Sequence, residues 1–167
     1  MKKYFKYTRY LLKHIHYVRV ECFKQGLYFQ GIVHDWHKWL PEEFIPYANF
    51  FYSKDKQPVR KEGYYKPTDT GDKKFDFAWL LHQKRGKHHW QWWVIPEEES
   101  GVKIFPMKER YWKEMICDWV GAGKAQGFSS PKNDKYKETR TWYNKNKNKM
   151  QLHPETRIKV EKFIGIK

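Results

Sequence analysis

The chain has 167 residues, enough for one domain with a sizeable core. Lys and Arg number 34 against 19 Asp and Glu, a net charge of +15, so the surface attracts anions: nucleotides, nucleic acid, phosphorylated small molecules or anionic membrane. Two cysteines argue against a disulfide scaffold and fit a reducing cytoplasm. No secretory pattern and no apolar run of membrane-spanning length is visible, so a cytoplasmic protein with no membrane partner is expected.

In chain order, the first periodic segment runs from about Tyr4 to Lys24, with Leu11, Ile15, Val18 and Cys22 on one stripe and Gly26 as its stop. At about 100° per residue, His14 falls near that stripe and His16 points away. A second short helix is expected from about Tyr28 to Trp39, carrying His34, Asp35 and Lys38 inside it. Pro41 fits the first position of a third helix, with Glu42 and Glu43 as first-turn acids and Phe44, Tyr47, Ala48 and Phe51 buried. Ser53 to Lys74 is polar and reads as a long loop of the kind that forms lids or binding elements.

Phe75 to Lys84 is again helical in pattern, Arg85-Gly86-Lys87 is a break, and His88 to Val94 resumes a helix or enters a two-strand ribbon around Trp93 to Phe105. Pro106 to Val120 places Tyr111, Met115, Asp118 and Trp119 at helical intervals, with Gly121 and Gly123 ending the element. Asp134 to Lys147 and Pro154 to Ile164 read as short helices. The stretch Lys124 to Lys149 holds eight basic residues against Asp134 and Glu138. Aromatics make up 19% of the chain, so flat rings must fill much of the core. The expected fold is all-α, one compact helical domain with one short β-ribbon at most. Residues 1–125 form the metal-binding core and 126–167 a basic helical extension packed on it.

His34-Asp35 is the most informative dipeptide, because His14 precedes it and His82, His88, His89 and Asp118 follow. A buried Asp beside a buried His is costly without a cation. Imidazole with carboxylate suits Mn, Fe, Zn, Co or Ni. The expected ligands are His14, His34, Asp35 and Asp118, around one or two divalent ions. The ion would lower the pKa of a bound water and polarise a phosphoryl oxygen. Lys38 lies on the face of Asp35 and is read, with His82, His88 and His89, as catalytic; one of the three histidines would bind a second ion or protonate the leaving group. The bland alternatives are ion pairing for Lys38 and aromatic packing for the histidines. Lys84 and Arg85 are candidates for a substrate phosphate. His37 and His153 read as structural or surface residues.

This ligand order resembles the HD superfamily of metal-dependent phosphohydrolases, in which a His on an early helix, His-Asp on a second and a lone Asp on a late helix hold the metal. The strings His34-Asp35-Trp36-His37-Lys38-Trp39, Pro41-Glu42-Glu43-Phe44, Ala78-Trp79-Leu80-Leu81-His82 and His88-His89-Trp90-Gln91-Trp92-Trp93 are also similar to an uncharacterised family of bacteriophages and bacteria. That likeness covers about residues 10–125; His37, Trp39 and Gly86 depart from its usual Ser, Phe and Asn. The resemblance implies an HD-like fold and phosphohydrolase chemistry on a nucleotide or other small phosphate ester. Two other functions are open at this point. One is a nucleic-acid binder or nuclease that tracks backbone on its basic face and stacks bases on Trp142 and Tyr143. The other is a non-catalytic, metal-stabilised interaction protein.

Overall fold

In the computed structural model, which describes residues 1–53 and 70–166, seven α-helices and one two-strand ribbon are seen among the described residues. Most of the predicted loop from Ser53 to Lys74, and with it the lid reading, lies outside the described residues. The first helix, α1, spans Lys2–Lys24 and buries Tyr7, Leu11, His14, Val18, Glu21 and Cys22. It ends where expected. Gly26 takes a positive φ of 71°, and the amides of Gly26 and Leu27 close back onto the carbonyls of Phe23 and Cys22 at 3.1 and 2.9 Å.

The expected helix from 28 to 39 is interrupted. Helix α2 covers only Tyr28–Val33, and a 3-10 turn covers Trp36–Trp39. Between them Asp35 adopts a left-handed conformation, φ 56° and ψ 22°, so His34-Asp35 marks a corner and not the inside of a helix. Leu40 is extended, as a residue before proline prefers, and Pro41 opens α3, Pro41–Tyr52.

Helix α4 spans Lys73–Arg85, with Asp72 Oδ1 accepting from the Phe75 amide as its cap. His88 does not resume a helix; only a 3-10 turn forms at Trp90–Trp93 before the ribbon. Strands β1, Val94–Pro96, and β2, Val102–Ile104, pair antiparallel with Ile95 opposite Lys103. Helix α5 spans Glu109–Ala125. It runs straight through Gly121 and Gly123, both expected to end it, and stops at Gly127, where φ is 94°. The reason is tertiary. A Cβ on Gly121 would lie 2.5 Å from Val18 Cγ2 and 2.8 Å from the Val18 amide nitrogen. The glycine therefore lets α1 and α5 touch backbone to backbone. Helices α6, Lys137–Asn146, and α7, Pro154–Ile164, complete the chain.

Two apolar clusters flank the α1–α5 crossing. One joins α1, α3 and α4 through Tyr7, Leu11, Tyr47, Ala48, Phe75 and Ala78. The other joins α5 to α6 and α7 through residues such as Trp112, Ile116, Tyr143, Val160 and Ile164. Polar side chains are buried between them. No helix of the described residues is long and apolar enough to cross a membrane.

Candidate metal centre

His14 lies one turn before Val18 on α1, and Asp118 one turn before Gly121 on α5. The close crossing of the two helices therefore sets the two side chains face to face, with His14 Nε2 3.3 Å from Asp118 Oδ1. The corner at Asp35 supplies the other pair. On a continuous helix neighbouring side chains diverge by about 100°. The left-handed turn, worth on the order of 1–3 kcal/mol of strain in a residue other than glycine, instead brings His34 and Asp35 to one point. Asp35 Oδ2 is 3.2 Å from His14 Nε2 and 3.4 Å from His34 Nε2, and His34 Nε2 is 3.5 Å from Asp118 Oδ1.

These four donor atoms lie within 4.8 Å of one another. Bonds of about 2.1 Å to a tetrahedral ion separate neighbouring donors by roughly 3.4 Å, and the four measured contacts of 3.2–3.5 Å match that edge. The donor set thus fits a first-row divalent ion. His14, His34 and Asp35 are closed off from solvent, whereas the Asp118 side chain is 17% exposed.

The electrostatics agree with a cation-seeking site. Burial alone would lower the His34 pKa, but Asp35, Asp118 and Glu114 outweigh it and push it up to about 10. Burial lowers His14, assisted by the Lys38 ammonium. Desolvation would raise both aspartates, yet the surrounding imidazoles and, for Asp35, Lys38 hold them well below the usual carboxylate range. Lys38 Nζ donates to Asp35 Oδ2 at 2.5 Å, and that carboxylate keeps the ammonium charged against its burial.

Asp35 Oδ1 faces the remaining histidines. It lies 3.5 Å from His88 Nε2, 3.8 Å from His37 Nε2 and 4.0 Å from His82 Nδ1. Asp35 with His82 and His89, and Asp118 with His88 and His89, form two further donor groups compact enough for an ion. His34 Nε2, His88 Nε2, His82 Nδ1 and Asp35 Oδ1 are buried with no hydrogen-bond partner among the described residues. Unanswered buried polar atoms are rare and destabilising, and a bound cation answers several at once. Gly86 makes room for this half of the site: a Cβ there would stand 2.9 Å from ring carbons of both His88 and His89.

A family model matches residues 3–166 and describes a family of unknown function, DUF5662. The chain belongs to DUF5662. Searches of curated proteins and of solved structures give no match.

In this DUF5662 chain the four expected ligands meet, and His82, His88 and His89 adjoin them. Lys84 and Arg85 do not. Lys84 Nζ donates to the Gln91 carbonyl at 2.9 Å, which anchors the turn before the ribbon. Arg85 pairs with Glu42 and, at 2.8 Å, with Glu43 Oε1. Glu43 is not a simple first-turn acid. It is fully buried, and its Oε2 takes His37 Nδ1 at 2.9 Å and lies 3.5 Å from His82 Nδ1. His37, read as structural or surface, is buried in the same network. Glu114 lies outside the ligand set that the sequence predicts. Its Oε1 accepts from His34 Nδ1 at 3.1 Å and lies 3.2 Å from His88 Nδ1. A signal existed: Glu114 stands four residues before Asp118, on the same helical face. His16 is exposed as expected, and His153 caps α7 by accepting from the Glu155 amide at 3.3 Å.

The exposed side of Asp118 opens onto a cavity of about 410 Å³ shared by α5, α6 and the turn at Trp90. His89 and Asp118, from the metal-site cluster, are among its lining residues. Trp90, Trp119 and Trp142 provide apolar walls, and Lys124 and Lys135 also line it.

Proposed function

We propose that this DUF5662 chain is a metal-dependent phosphohydrolase that acts on a nucleotide or another small phosphate ester. One observation carries the reading: two imidazoles and two carboxylates from three separate parts of the chain aim at a common point at tetrahedral-edge spacing, beside a cavity. Such a mixed donor set suits Mn, Fe, Zn, Co or Ni. When bound, an ion of this kind supplies Lewis acidity toward water and a phosphoryl oxygen.

The chain's own residues divide the remaining work. His14, His34, Asp35 and Asp118 hold the ion. Lys38, paired with Asp35 Oδ2, adds a fixed positive charge beside the ligands, and the net charge of +15 draws anions toward the molecule. Burial lowers the pKa of His82 and His89 well below the ordinary imidazole range, so each offers a lone pair to a second ion. The order His, His-Asp, Asp is shared with the HD superfamily, which supports the reading by analogy of ligand order.

The test is metal content by mass spectrometry, then orthophosphate release from a panel of nucleotides and aliphatic phosphate esters. A transition metal near stoichiometry is expected, with turnover lost on chelation and in His34→Ala and Asp35→Asn. Asn tolerates the left-handed backbone, so the second variant isolates the carboxylate charge. A metal-free double variant that hydrolyses at the wild-type rate sinks the reading.

A further inference from the structure

The cavity beyond Asp118 carries polar atoms that the metal centre does not use. Asn146 is 1% exposed, and its Nδ2 donates to the Trp142 carbonyl at 2.8 Å. Its Oδ1 is buried with no hydrogen-bond partner among the described residues, as is Gln91 Oε1. Both residues line the cavity. A folded protein rarely leaves two buried amide oxygens unanswered in one place. Hydrogen-bond donors on a bound ligand would satisfy both.

The walls state the shape of that ligand. Trp119 and Trp142 lie with ring centroids 5.2 Å apart, tilted at 50°, and both are only half-buried. With Trp90 they line a space large enough for a small organic molecule. Flat indole faces favour a flat partner, because stacking on an aromatic ring is sequence-tolerant and worth about 1–3 kcal/mol per base.

Charge adds a third property. Glu21, on α1, is buried and pairs with Lys24 at 3.0 Å, Lys124 at 2.7 Å and Lys135 at 3.0 Å. One carboxylate thus holds three ammonium groups, two of them lining the cavity, and the cluster keeps a surplus of positive charge. That surplus attracts an anionic ligand.

We infer that the cavity is a nucleobase subsite, built by Trp90, Trp119, Trp142, Gln91 and Asn146, and that the preferred ligand is a nucleotide with its phosphate toward Asp118 and His89. The inference rests on the phosphohydrolase reading for the fate of the phosphate, and it adds the organic group that is recognised. Trp142 and Asn146 belong to α6, so the C-terminal part of the chain acts as the specificity element. A sugar phosphate or glycerol phosphate offers hydroxyl donors to Asn146 Oδ1 and Gln91 Oε1 but lacks the flat face that would stack on the indoles.

Binding and turnover are measured separately on the full chain loaded with manganese. Tryptophan fluorescence is titrated with the four common nucleosides, their 5′-monophosphates, ribose 5-phosphate and glycerol phosphate, and orthophosphate release is followed with the same phosphates. Saturable quenching by at least one nucleoside and its monophosphate is expected, with none by glycerol phosphate. The best nucleotide should exceed ribose 5-phosphate at least a hundredfold in kcat/KM. Trp142→Ala and Gln91→Ala should each lower that ratio at least tenfold. Absence of saturable quenching by every nucleoside and nucleotide overturns the inference. Equal turnover of ribose 5-phosphate and the nucleotides also overturns it, while leaving the phosphohydrolase reading standing. Nucleotide binding without phosphate release from any ester supports the subsite and removes the hydrolytic reading.

Discussion

Glu114 Oε1 takes the Nδ1 side of His34 at 3.1 Å and thereby turns Nε2 of the same ring toward Asp35 and Asp118. The same oxygen lies 3.2 Å from His88 Nδ1, whose Nε2 faces the other oxygen of Asp35. One carboxylate thus orients two neighbouring imidazoles, with ring centroids 4.6 Å apart, toward the two oxygens of Asp35. Outer carboxylates of this kind set ring tautomer and basicity, and their loss typically reduces metal affinity 10–100-fold.

Glu114→Gln and Glu114→Ala are therefore expected to weaken transition-metal binding by about 10–100-fold, with a smaller loss in Gln. Competition titration against a chromophoric chelator measures the change. Unaltered affinity in both variants would remove Glu114 from the site.

Metal should also stabilise the fold, since its donors come from α1, the Asp35 corner and α5. At a free ion concentration a hundredfold above Kd, binding contributes about 2.7 kcal/mol, or roughly 5–10 °C in Tm for a chain of this size. A thermal scan with and without chelator reads the shift. Asp35→Asn should abolish most of it.

The helix crossing gives a paired prediction. Gly121→Ala forces a methyl against the Val18 backbone and should destabilise by about 2–3 kcal/mol. Gly123, two residues on in the same helix, has open space at its Cβ position. Gly123→Ala should be neutral or stabilising by about 0.5–1 kcal/mol. Denaturant midpoints of the two variants compare them directly, and equal effects would contradict the packing described.

Glu21 supplies a pH dependence away from the metal centre. Burial would raise its pKa, but bonds from Lys124, Lys135 and Lys24 lower it from 4.5 to about 2. A depressed carboxylate contributes its stability in full above its unfolded value and loses it as pH falls toward the folded one. Wild type should thus lose stability between about pH 4.5 and 2 more steeply than Glu21→Gln. Because the lysines are partly exposed and screened, the difference is about 1–2 kcal/mol. Urea midpoints across that range check it.

Much of this was legible in the sequence. Periodicity located α1 and α5 and put His14 and Asp118 on inward faces, and Pro41 marked the start of α3 to the residue. The misses share a physical cause. Gly121 reads locally as a helix stop, yet its role is a contact with Val18, 103 residues earlier in the chain. Asp35 reads as mid-helix because nothing local announces a left-handed aspartate. Glu43 reads as a first-turn acid and Glu114 draws no reading, because an isolated buried carboxylate is prohibitive. Glu43 meets His37, six residues back, and the distant His82, and Glu114 meets His34, 80 residues back, only after folding.

The helix crossing also bears on which ions the protein will accept. His14 and Asp118 are each about one turn from the point where α1 and α5 touch, too short a lever for the pair to separate while that contact holds. On the proposed metal reading, a frame held by that contact would disfavour calcium, which seeks six to eight oxygens at about 2.3–2.6 Å, relative to a smaller ion content with nitrogen and few ligands.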